Sequence, residues 1–130
     1  MAEKKKIIFT DRAPQPIGPY SQAVKTGNLI FTSGVIPINP VTGELVIGGI
    51  KDQADQVFVN LVELIKASGA EPEDVVKTTV FLKNIDDFNA VNEIYENYFT
   101  HSFPARSCVE VSRLPKGVLI EIEAVIAVPR

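Results

Sequence analysis

The chain holds one cysteine, Cys108, and one histidine, His101, among its 130 residues. A lone thiol cannot close an intrachain disulfide, which suits a reducing compartment. One imidazole excludes a histidine-based metal cluster, and one cysteine cannot make a zinc site. No apolar run approaches the roughly 20 residues of a membrane span. Met1–Thr10 lacks the apolar stretch of a signal peptide, so a cytoplasmic location is expected. Positive charge is not in excess. Thirteen Lys+Arg against 16 Asp+Glu leave a net charge of −3, a poor balance for nonspecific nucleic-acid binding. The only basic run, Lys4-Lys5-Lys6, reads as part of a solvated tail over residues 1–5. Glycine patterns for dinucleotides are missing, and Gly43 to Gly48-Gly49 lacks the Lys-Ser/Thr ending of a phosphate loop.

What is present is a globular composition, 45% hydrophobic and 22% charged, without linker, repeat or low-complexity segment. One domain over residues 1–130 is therefore expected. Residues 6–9 read as a short strand, and the prolines at 14, 16 and 19 make 12–19 an ordered loop. Ala23–Thr26 and Leu29–Ser33 flank Gly27-Asn28, which predicts a hairpin with a type II′ turn. Residues 34–49 are rich in Gly and Pro and read as loop.

Ala54, Val57, Phe58, Leu61, Leu64 and Ile65 recur at helical spacing, which predicts a helix over 51–68 that stops at Gly69. Val75–Lys83 reads as a strand. A second helix over Asp86–Tyr98 follows, with Asp86 as N-cap and Phe88, Val91, Tyr95 and Tyr98 or Phe99 as its stripe. Ser107–Arg113 and Val118–Val128 read as strands around a Leu114–Gly117 turn. The order predicts an α+β, two-layer domain: one mixed sheet of about six strands with two helices on one face. Neither alternating set of Val75–Leu82 is fully polar, so the other face is half apolar and needs a cover. Self-association is the simplest one.

Chemistry-bearing residues concentrate late in the chain. Alternation places Arg106, Cys108 and Glu110 on one strand face, and Glu121 with Glu123 on another. If those two strands pair, a guanidinium and carboxylates share one surface. The plain reading is a structural Arg–Glu pair at a sheet edge. The functional one is that Arg106 grips a carboxylate ligand through its planar fork while Glu121 handles the protons of a water. Cys108, among valines, reads as a small buried hydrophobe, and loop residue His101 as a bystander. Asn92 interrupts the apolar stripe four residues after Phe88, and Ser33-Gly34 ends a strand where backbone N–H groups become free. Taken singly, these have structural explanations: a helix-to-loop hydrogen bond for Asn92 and a turn for Gly34.

Together they resemble the RidA/YjgF imine deaminases, from Ala13 to Val128. The resemblance is carried by Ile17-Gly18-Pro19-Tyr20-Ser21-Gln22-Ala23, Thr32-Ser33-Gly34, Val76-Lys77-Thr78-Thr79-Val80-Phe81, Asp87-Phe88-Asn89 with Val91-Asn92, Phe103 through Val111, Leu114-Pro115, and Ile120-Glu121-Ile122-Glu123-Ala124. It implies a chorismate-mutase-like fold, three subunits packed sheet to sheet into a barrel, and active sites in clefts between neighbours. It also implies hydrolysis of 2-imino acids, such as 2-iminobutanoate and 2-iminopropanoate, to 2-oxo acids and ammonia without metal or cofactor. By position, Arg106 would hold the substrate carboxylate and Glu121 would activate water. Tyr20, Ser33, Gly34, Asn92 and Cys108 would line the pocket, Cys108 mainly through its backbone. Two other functions compete: a regulatory trimer that binds small carboxylates without turnover, and an RNA-directed translation inhibitor or ribonuclease. The charge balance and the scarcity of histidine weigh against RNA.

Overall fold

A computed structural model describes residues 4–128. Of the expected tail, residues 1–3 lie outside the described residues. Lys4 is tied down, because its carbonyl accepts from Thr26 Oγ1 at 2.9 Å. The six strands β1 (Lys6–Ile8), β2 (Ala23–Thr26), β3 (Leu29–Thr32), β4 (Val75–Leu82), β5 (Ala105–Glu110) and β6 (Ile120–Ala127) form one sheet. Its order is β1-β2-β3-β6-β4-β5. Only β4 and β5 pair in parallel, so the sheet is mixed. Helices α1 (Ile50–Ala67) and α2 (Phe88–Tyr98) pack on it and share its core. The α+β reading with about six strands and two helices therefore holds.

The β2–β3 hairpin turns at Gly27, whose φ of +59° is the left-handed conformation that a II′ turn demands at its first central position. In α1 the first turn is secured by Asp52, whose Oδ2 accepts from the Gly49 N–H at 3.2 Å. The stripe read from the sequence is the buried one: Ala54, Val57, Phe58, Leu61, Leu64 and Ile65 are at most 2% exposed. Phe58 anchors the second helix, stacking on Tyr98 at 5.2 Å and meeting Tyr95 edge-on at 5.5 Å. Asn60 is fully buried on α1, and its amide donates to the carbonyls of Ile36 and Ile38, fastening the 34–49 segment. That segment is more ordered than a loop. Val35 and Ile38 form isolated bridges to Ile122 and Leu45.

Two expectations need correction. Asp86 does not cap α2: a 3-10 turn over Ile85–Asp87 precedes the helix, and Asn84 caps that turn by accepting from the Asp86 N–H at 2.9 Å. More consequentially, β5 and β6 do not pair. Each pairs with β4, from opposite sides. The Leu114–Gly117 turn is therefore not a hairpin but carries the chain past β4.

The helix-covered face of the sheet is set by Ile30, Thr78, Val80, Leu82, Ile120, Ile122 and Ile126, all fully buried. Residues directly opposite in a ladder share a face. The opposite face, formed by the alternate residues of each strand, carries no helix. It leaves apolar side chains in the open, among them Phe31 at 44% and Val109 at 43% exposure.

Candidate functional site

The inserted strand β4 separates the two groups that sequence alternation would have joined. Arg106 stands opposite Thr78, on the helix-covered face. Glu121 stands opposite Phe81, one step out of phase with the buried Val80–Ile122 pair, and so on the uncovered face. Within one subunit the guanidinium and the carboxylate lie on opposite sides of the sheet. The condition for one shared surface, pairing of the two strands, is not met.

On the helix side, Arg106 borders a cleft of about 350 Å³ with Asn92, Tyr95, Glu96, Phe103 and Pro104. Its Nη1 donates to Asn92 Oδ1 at 2.8 Å. Its guanidinium carbon lies over the Tyr95 ring at 4.8 Å and over the Phe88 ring at 5.2 Å. Phe88, Asn92 and Tyr95 occupy positions i, i+4 and i+7 of α2, hence one stripe facing β5. Tyr95 is buried and its hydroxyl shares a 2.8 Å hydrogen bond with Thr78. Burial pushes the Tyr95 phenol above its usual pKa, against the smaller opposing pulls of the Thr78 hydrogen bond and the Arg106 charge. Neither ion pair found among the described residues, Arg12–Glu63 or Lys51–Glu93, involves Arg106.

On the uncovered side, Glu121 borders a second cleft of about 340 Å³ with Ile17, Tyr20, Ser33, Gly34, Ile36 and Pro115. Burial raises the Glu121 pKa, and the neighbouring Glu123 charge adds to the rise. The lack of a side chain at Gly34 makes room for the Glu121 carboxylate, because a Cβ there would fall onto it and the carboxylate would have to swing away. Ser33 is held by two bonds: its Oγ donates to the Ser21 carbonyl at 2.6 Å and its N–H to the Gln22 carbonyl at 2.9 Å. The Gln22 side chain is buried and ties Thr10, Ala13 and Pro14 to the start of β2. The proline-rich loop carrying Ile17 and Tyr20 is thereby fixed against the strand end carrying Ser33 and Gly34.

Of the residues singled out from the sequence, Asn92 and Arg106 thus meet in one cleft, and Tyr20, Ser33, Gly34 and Glu121 in the other. Cys108 borders neither. It is half-buried opposite Val80, and burial raises its thiol pKa against a smaller lowering by Arg106, which suits a small packed side chain better than a nucleophile. His101 is exposed, and its ring Nδ1 shares a hydrogen bond with Thr100 Oγ1 at 3.0 Å. From the sequence, Phe88 and Tyr95 read only as core. The sign that they do more was the amide at 92, lying one helical turn from each on the same stripe.

The family model for Endoribonuclease L-PSP matches residues 10–128. A RutC family protein of Pyrococcus horikoshii is 58% identical over 93% of this chain and 96% of its own length. The human 2-iminobutanoate/2-iminopropanoate deaminase is 51% identical over 93% of this chain and 88% of its own. Among solved structures, Escherichia coli TdcF with bound serine superposes with a TM-score of 0.91 at 44% identity, covering 95% of this chain and 99% of that one. With that extent of match, on a fold whose strand order and clefts are those just described, the chain belongs to the RidA (Endoribonuclease L-PSP) family.

Proposed function

We propose that this protein hydrolyses 2-imino acids to 2-oxo acids and ammonia in a cleft built by two subunits. One supplies Arg106 and its neighbour supplies Glu121. The observation that carries this reading is the guanidinium of Arg106: it is held in place, has no carboxylate partner among the described residues, and opens onto a cleft. A small carboxylate fits the unused edge of that planar fork. The human deaminase relative and the amino-acid ligand of TdcF point to the same ligand chemistry. Because Arg106 and Glu121 face opposite ways in one chain, a site that uses both needs a second copy, and the uncovered half-apolar sheet face gives that copy a surface to pack on. The family resemblance implies a trimer for that assembly.

The chemistry asks little of the protein. A protonated imine is already electrophilic at carbon. Water adds to C2 as Glu121 accepts one of its protons, giving a tetrahedral carbinolamine. Glu121 returns that proton to nitrogen and then takes the hydroxyl proton as the C–N bond breaks, so the 2-oxo acid forms and ammonia leaves, carrying the last proton away as ammonium. Positioning of the carboxylate and the water supplies the rest. A carboxylate whose pKa is raised by burial is better matched to both halves of this proton traffic than an ordinary one.

The test is to generate 2-iminobutanoate in situ with an amino-acid oxidase and follow its loss. The wild type is expected to accelerate the loss. Glu121→Gln should lower the rate about 10²–10⁴-fold, the usual contribution of one general acid–base group. Arg106→Ala should abolish acceleration while light scattering shows the oligomer intact. Wild-type rates in Arg106→Ala would refute the assignment. Carboxylate-induced NMR shifts without any acceleration would instead identify a binding protein. The family model's description raises RNA cleavage as a further outcome, and nuclease-free protein that degrades RNA would establish it.

A further inference from the structure

A carboxylate is the natural partner of a guanidinium, often through two parallel hydrogen bonds. Among the described residues Arg106 has none. The side chains that grip it are an amide oxygen and two aromatic rings: Asn92 at 2.8 Å, Tyr95 at 4.8 Å and Phe88 at 5.2 Å. All three are formally neutral. A carboxylate is available nearby, since Glu96 borders the same cleft, yet it makes no ion pair with Arg106. Tyr95 is in turn fixed by Thr78, the residue directly opposite Arg106 in the β4–β5 ladder, and by its contacts with Phe58 and Phe99 in the core.

We propose that Phe88, Asn92 and Tyr95 act as positioning residues for Arg106, forming a neutral seat that fixes the guanidinium without neutralising it, so that its full charge is kept for an incoming carboxylate. This rests on the reading of Arg106 as the carboxylate-binding group. A free arginine side chain loses rotamer entropy on being fixed. The seat meets that cost before the ligand arrives. Aromatic faces attract a cation through their quadrupole, and an amide oxygen accepts one N–H, but neither removes the net charge. A carboxylate in the same place would orient the fork equally well and would also occupy it and repel a second anion.

Two substitutions at position 92 separate this from a merely structural role. Asn92→Asp keeps the shape and the acceptor atom but adds a charge. Asn92→Ala loses the acceptor and leaves Arg106 cationic. If Asn92 only supports the fold, Asp should behave more like the wild type than Ala does. The neutral seat demands the reverse order. The probe is the non-reacting 2-oxobutanoate, titrated by NMR or calorimetry at pH 7.5 into wild type, both variants and Phe88→Leu, each with its melting midpoint.

Asn92→Ala and Phe88→Leu are expected to bind several-fold more weakly than the wild type. Asn92→Asp should bind at least about tenfold more weakly, although it melts no lower than Asn92→Ala. An Asn92→Asp variant that binds as tightly as the wild type, or more tightly than Asn92→Ala, would overturn the proposal. So would a Phe88→Leu variant, folded and of unchanged affinity. A wild type that does not bind 2-oxobutanoate at all would remove the functional reading itself. The two failures are therefore distinguishable.

Discussion

Glu121 shows how much of a residue's chemistry is decided by what surrounds it. The side chain is half-buried, beside Gly34 and within one alternation step of Glu123. Burial is the larger cause of its raised pKa and the Glu123 charge the smaller. A carboxylate acting as base works only when ionised, so activity should fall as pH drops through its folded-state pKa. Glu123→Gln removes the charge that favours protonation, so it lowers that pKa. The acid limb of the pH–rate profile is expected to move to lower pH, with the plateau rate little changed, as measured by initial rates of imine loss across the acid range. A limb that stays in place or moves upward would show that Glu123 does not act on the base. Stability depends on pH in the opposite sense. A carboxyl whose folded pKa lies above its unfolded one contributes stability at low pH, and that contribution is lost as pH rises through the folded value.

The helices, the hairpin and the strands were legible in the sequence because each depends on neighbours in the chain. Periodicity marked α1 and its buried stripe, and Gly27-Asn28 marked the turn. Strand order was not legible. Nothing within Ala105–Glu110 or Ile120–Ala127 states that β4 lies between them, because insertion is decided by where the helical crossovers drop β4 and β5. The 34–49 segment reads as loop in the sequence for a related reason. Its order comes from Asn60, 22 to 24 residues along the chain from the Ile38 and Ile36 carbonyls it binds. Asn60 sits in the buried half of α1 and looks like an interruption of the stripe, when it is a clasp. Asn60→Ala would leave the buried Ile38 carbonyl without this donor, at a cost of about 1–3 kcal/mol, while the Ile36 carbonyl keeps the Ile38 N–H. Chemical denaturation should show a loss of that order. Hydrogen exchange should quicken at Ile38, Asn39 and Val46, whose N–H bonds close the segment. A variant of unchanged stability would mean that the clasp is dispensable.

For the whole molecule, the division of the two clefts is the decisive feature. One chain presents Arg106 on the helix-covered side of its sheet and Glu121 on the uncovered side, with β4 running between their strands. No rotamer change brings side chains through a hydrogen-bonded sheet, so two subunits must meet for both groups to serve one substrate. This makes a prediction that a single-chain site cannot satisfy. Arg106→Ala and Glu121→Gln proteins should each be inactive in the imine assay. Mixed after brief dissociation and reassembly, they should recover activity, because some interfaces then combine the intact Arg106 of one variant with the intact Glu121 of the other. Random mixing at equal amounts makes about a quarter of the interfaces complete in any cyclic assembly. Recovery should therefore approach about one quarter of the wild-type rate per subunit, and it should require exchange of subunits. Mixing without dissociation serves as the control and should recover nothing at first. If the reassembled mixture stays inactive while light scattering and mass measurement show that hybrid oligomers have formed, then Arg106 and Glu121 do not act on one substrate across an interface.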